Sequence, residues 1–186
     1  MRRQWQFGMA VALLAASPVA CGHAGDGDMA PSPIVSTFVG PFSGQIVVST
    51  TSGGRTCEST RAISGSLTMR LEEPDTWSAT TTGTYRETSF TQASHCSALT
   101  NPNVPFDWAP TVSASGSNLS FTQQRSSTST TPATVTATTT LSFAGTRTGD
   151  SIAGTLTYTD TTSGQNSSGP ISGSGSTTMA VAVQKQ

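Results

Sequence analysis

From residue 38 to the carboxyl end, apolar side chains and glycines recur at every second position. The runs are Phe38, Gly40, Phe42, Gly44, Ile46, Val48; then Ile63, Gly65, Leu67, Met69, Leu71; then Trp77, Ala79, Thr81, Gly83, Tyr85. Three more follow: Val135, Ala137, Thr139, Leu141, Phe143; Ile152, Gly154, Leu156, Tyr158; and Ile171, Gly173, Gly175, Thr177, Met179, Val181, Val183. The positions between them are polar, as in Ser64, Ser66, Thr68, Arg70 and Glu72. A period of two puts alternate side chains on opposite faces of an extended chain. The pattern therefore predicts antiparallel strands with one buried and one wet face. No segment after residue 30 carries a helical period.

Turn residues punctuate the runs and set their order. Ser52-Gly53-Gly54 ends the first long strand, Glu73-Pro74-Asp75 turns the second into the third, and Thr148-Gly149-Asp150-Ser151 makes a tight hairpin. Sequential hairpins predict an all-β, up-and-down meander of about eight strands. Glycines in the apolar phase permit sharp coiling and close backbone approach. A sheet coiled this way closes into a small β-barrel, the last strand pairing with the first and leaving no open edge; a two-sheet β-sandwich is the alternative. In pattern alone the architecture is loosely similar to that of lipocalins and avidins. The Ser/Thr-rich outer faces argue against a membrane-spanning barrel, whose outside must be apolar.

Two stretches break the rhythm. Residues 93–118 hold Pro102, Pro105 and Pro110 with Phe106 and Trp108, and predict a long connection of the kind that often carries function. Gln123 to Pro132, nearly all Ser and Thr, predicts a solvated loop.

Composition narrows the class. Apolar residues, glycine left out, make up 34% of the 186-residue chain, a modest share for a globular protein. Charged residues are only 10% and the net charge is -1, unlike the high charge of disordered chains. The balance is Thr, Ser and Gly, which reads as a β-domain with a thin core. The few cations beyond residue 20 are scattered singly, with no basic stripe to attract nucleic acid.

The amino terminus predicts export. Arg2 and Arg3 form a positive start, and Phe7 to Ala16 an apolar stretch too short to cross a bilayer. Pro18-Val19-Ala20-Cys21-Gly22 resembles the lipobox of bacterial lipoproteins, though Pro18 stands where that family favours a branched aliphatic residue. The resemblance implies lipid attachment at Cys21, removal of residues 1–20 and a membrane anchor; Gly22 after the cysteine implies the outer membrane. Cleavage after Ala24, giving a soluble secreted or periplasmic product, is the alternative. Residues 21–37, rich in Gly, Asp and Pro, predict a flexible tether, leaving 38–186 as the barrel domain.

Three cysteines are an odd number, and lipidation of Cys21 leaves Cys57 and Cys96 as a pair. Export and the apparent lack of metal-ligand spacing around them predict a disulfide. No nucleotide, metal or other cofactor motif is present, and no Gly-x-Ser-x-Gly elbow accompanies the many serines. His95 and Asp107, in the irregular stretch, are the candidate polar handle at a pocket mouth, with two solvated loop residues as the simpler reading. Trp77, Tyr85, Phe106 and Trp108 are candidates to line a ligand cavity, against the alternative that they fill the core. The expected role is that of a non-catalytic envelope lipoprotein, binding an envelope partner or serving the surface structurally. The alternative is a carrier of a small apolar ligand in the barrel interior.

Overall fold

The structure, a computed structural model, describes residues 34–96, 103–130 and 133–186. The predicted signal peptide, residues 21–33 of the predicted tether and with them Cys21 lie outside the described residues.

Nine strands run β1(Val35–Ser52), β2(Arg55–Glu72), β3(Thr76–Phe90), β4(Asn103–Trp108), β5(Ser113–Ser115), β6(Asn118–Ser129), β7(Thr134–Thr148), β8(Ser151–Asn166) and β9(Gly169–Lys185). They form one antiparallel sheet in the order β4-β3-β2-β1-β9-β8-β7-β6-β5. The fold class is thus the predicted all-β meander, with β9 against β1. Three details differ from the sequence expectation. β1 begins at Val35, so the last residues assigned to the tether belong to the sheet. β4 and β5 occupy part of the stretch expected to be a loop, and β6 runs through Gln123 to Ser129, also expected to be a loop. The ladder ends at β4 and β5, which do not pair with each other, so edges remain where a continuous closure was expected.

The sheet is nevertheless strongly curled, in half-barrel fashion. The Arg125 guanidinium on β6 lies 4.5 Å from the ring centre of Trp108 on β4, seven places away in the ladder. Phe106 on β4 approaches Tyr158 on β8, with ring centroids 6.2 Å apart. Inward glycines make the curl possible. Phe42, Gly65, Gly83 and Phe106 stand side by side across β1 to β4, and the two rings meet over the glycines at 6.3 Å. On the other wall the Phe143 ring covers the Cα positions of Gly145 and Gly154. A flat sheet of larger side chains could not bend this far without opening its ladder.

The hairpins follow the sequence. Gly53 and Gly54 both take positive φ, 55° and 74°, as the two-residue turn between β1 and β2 requires. The inner face carries the core, including Phe38, Leu67, Met69, Leu141, Ile152, Leu156 and Val183, all buried. The disulfide Cys57–Cys96 is formed across 39 positions, with Cα atoms 5.7 Å apart. In the chain-entropy picture such a bridge stabilises by about 4 kcal/mol, a large share of the total for a thin core. Among the described residues no helix is long and apolar enough to cross a membrane.

Candidate functional site

The four central strands change character along their inner faces. β2 passes from Leu67 and Ile63 to Arg61, Ser59 and Cys57; β8 from Leu156 and Tyr158 to Asp160, Thr162 and Asn166. β1 and β9 likewise give way from Val48 to Thr50 and Ser52, and from Met179 to Thr177. The changes coincide because the register brings these segments to one pole. The pole where β1 begins is packed with apolar side chains beneath the Arg147 guanidinium; the other is mainly polar.

Arg61 marks the boundary. Its Nη1 lies 3.1 Å from Oδ2 of Asp160, and both side chains are mostly buried, at 16% and 15% exposure. Asp160 also accepts a hydrogen bond from the Thr139 hydroxyl at 2.7 Å. The guanidinium sits over the Tyr85 ring, 5.6 Å from its centre, and donates from Nε to Ser59 Oγ at 3.4 Å. Ser59 in turn donates to the Glu87 carboxylate. Burial pushes the Tyr85 phenol above the ordinary 10.0, against the lowering effect of Arg61. Burial, helped by the Asp160 charge, pushes Tyr158 up further. Both phenols are therefore firmly protonated beneath a fixed ion pair.

Beyond this floor opens a cleft of about 730 Å³. Val48, Phe90 and Ile171 give it an apolar wall; Arg55, Arg61, Glu58 and Glu87 give it two charges of each sign; and Asn166 and Ser168 add amide and hydroxyl groups. At the rim Asn166 Nδ2 donates to Ser52 Oγ at 2.9 Å, tying the β8–β9 turn to the β1–β2 turn. The β2–β3 ladder shifts register between Thr60 and Arg61. Past the bulge it is carried on by the Thr91 N–H to the Glu58 carbonyl and the Glu58 N–H to the Thr91 hydroxyl, each 2.9 Å. The disulfide then fixes the segment that follows β3 against β2.

The structure separates the candidates read from the sequence. His95 is exposed on the cleft rim beside the disulfide. Asp107 is exposed on β4, out of phase with its inward neighbours Phe106 and Trp108, and does not line the cleft. The two are not brought together. Trp77 packs on Phe38 at 5.8 Å, and Trp108 is buried under Arg125. Phe106 fills the space between Phe42 and Tyr158, while Tyr85 lies under Arg61. These four aromatics pack within the interior rather than line the cleft. The spacing expectation for metal ligands is corrected as well: ligand atoms of Cys57, His95 and Cys96 all lie within 4.8 Å of one another.

Arg61, Glu87, Phe90 and Asn166 were not among the candidates. The available signal was phase: Arg61 extends the apolar set Ile63–Leu71, and Asp160 extends Ile152–Tyr158. Two opposite charges on inward faces must be paired when the faces meet. No family model, curated protein or solved structure matches this chain.

Proposed function

We propose that the chain is an exported, lipid-anchored domain of the cell envelope that binds a small polar ligand in the cleft at its open pole. The observation that carries the reading is the division of the interior. One pole is filled by the chain's own side chains, and the other holds a sizeable cleft over a floor of paired, hydrogen-bonded groups. Such preorganised concave sites with a few placed polar groups are where small ligands bind. The lining's balanced charges favour a neutral or zwitterionic molecule that offers hydroxyl or amide groups and one apolar edge. An apolar ligand among the strands, as in a hollow barrel, would have to displace Phe42, Phe106 and Tyr158.

A binding role is favoured over catalysis because the floor's ionisable groups are engaged with one another, Arg61 with Asp160 and Glu87 with Ser59. Export and anchoring rest on Arg2, Arg3, the apolar run and Cys21, and a disulfide suits an oxidising compartment. Native mass spectrometry of protein purified from envelopes tests the ligand. A bound mass is expected on the wild type and lost in Thr50→Trp, which fills the cleft; no bound mass, or the same mass on both, refutes the binding reading. Separately, Cys21→Ser should abolish detergent partitioning and lipid labelling, and unchanged partitioning refutes the anchor.

A further inference from the structure

We propose that Cys57, His95 and Cys96, once a thiol reductant has opened the disulfide, form a three-ligand site for a zinc-class divalent ion on the cleft rim. The two cysteine sulfurs and a ring nitrogen of His95 lie within 4.8 Å of one another. In a tetrahedral zinc site, bond lengths of about 2.3 Å to sulfur and about 2.0 Å to nitrogen hold the ligand atoms roughly 3.5 Å apart. Side-chain rotation covers the difference.

The backbone favours the same outcome. Cys57 sits within β2, paired with Thr50 of β1, and is a fixed ligand. His95 and Cys96 follow β3 in a short turn closed by the Cys96 N–H on the Ala93 carbonyl at 2.9 Å. Neighbouring residues usually send their side chains apart, yet here the His95 ring comes back beside both sulfurs. The Cα atoms of the two cysteines are already 5.7 Å apart. Both cysteines are only half-buried, so an external thiolate can reach the bridge.

Two steps are involved. Two external thiols reduce the Cys57–Cys96 bond, giving two cysteine thiols and one external disulfide. The ion then replaces the two thiol protons, which leave to solvent, and takes a ring nitrogen of His95 as third ligand. A fourth ligand would come from water. The ion would thereby hold the segment after β3 against β2 when the covalent bridge is open, and this inference stands whether or not the cleft binds a small ligand.

The test uses the full domain, reduced with dithiothreitol that is then removed without air, and titrated with Co²⁺ as the spectroscopic probe. Thiolate-to-cobalt absorption and tetrahedral visible bands are expected at one ion per chain, displaced by Zn²⁺, with two protons released. The oxidised protein should give neither band. His95→Ala should weaken Co²⁺ binding by about tenfold or more while keeping the thiolate band. Unchanged affinity in that variant, or no band in the reduced wild type, overturns the proposal. Should reduction loosen the fold, Zn²⁺ must raise the melting temperature of the reduced protein and leave the oxidised one unmoved; no such rise overturns it equally.

Discussion

Gly65→Ala tests the device that curls the sheet. A methyl group at this position would lie 2.1 Å from the Thr82 carbonyl oxygen, 2.6 Å from Cζ of Phe42 and 2.8 Å from the Cα of Gly83. The ring can swing aside, but the carbonyl belongs to the neighbouring strand's backbone, so β2 and β3 must part by roughly 1 Å. Overpacking of this kind costs about 1–3 kcal/mol, and the contact with backbone puts it near the upper figure. Moving Phe42 off its rotamer adds about 1 kcal/mol. Alanine returns roughly 0.4–1 kcal/mol by restricting the unfolded chain. The net loss is about 3 kcal/mol, which for a domain of this size lowers the melting temperature by about 6–12 °C. Urea unfolding followed by far-ultraviolet circular dichroism measures it directly. Ser64→Ala, one residue away on the wet face, should stay within about 0.5 kcal/mol of the wild type. Combining Gly65→Ala with Phe42→Leu should recover only the ring's share. If Gly65→Ala melts with the wild type, the glycine row is not what permits the curl.

Other expectations concern the interior. Asp160→Asn leaves the Arg61 guanidinium without its carboxylate; allowing for its 16% exposure, the loss should be about 2–3 kcal/mol in urea unfolding. The double variant Arg61→Met/Asp160→Leu should regain most of that, and a double no better than the single would refute the pairing argument. Tyr85 and Tyr158 are the chain's two tyrosines, so phenolate absorbance reads them cleanly. With both folded pKa values raised above 10.0, the unfolded chain releases these protons first. Their contribution is whole below about pH 10 and falls as the pH rises through the folded values; stability unchanged well above pH 10 would contradict the assigned burial. The Thr81 hydroxyl is buried with no hydrogen-bond partner in the structure, so Thr81→Val should stabilise by about 1 kcal/mol, and a loss on thermal unfolding would mean the hydroxyl is satisfied.

What was legible in the chain was the phase of its apolar positions, because a strand with one buried face leaves a two-residue rhythm that no tertiary contact is needed to see. β6 escaped for the converse reason. Its inward positions after Phe121 are Gln123, Arg125 and Ser127, so the rhythm vanishes, yet the strand stays paired to β7 through its full length. Hydroxyl pairs on the outer face help hold it there, Ser126 to Thr138 at 2.8 Å and Thr128 to Thr136 at 3.0 Å. β4 was hidden by Pro105, which breaks the reading of a strand from sequence; the structure seats it on an edge strand, where one side of the backbone has no ladder to supply. The cleft was hidden by distance, because Arg61 meets a partner 99 positions away. Phase still points to it. Arg61, Asp160, Arg125 and Arg147 all fall in step with apolar neighbours, and each meets a partner: a carboxylate for Arg61, the Trp108 ring for Arg125, and the rings of Phe38 and Trp77 for Arg147. The aromatic partners let cations lie against the packed interior, whereas the Arg61–Asp160 pair stands where packing gives way to space. An inward charge answered by an opposite inward charge on a distant strand is therefore the mark by which a filled sheet of this kind discloses its open pole.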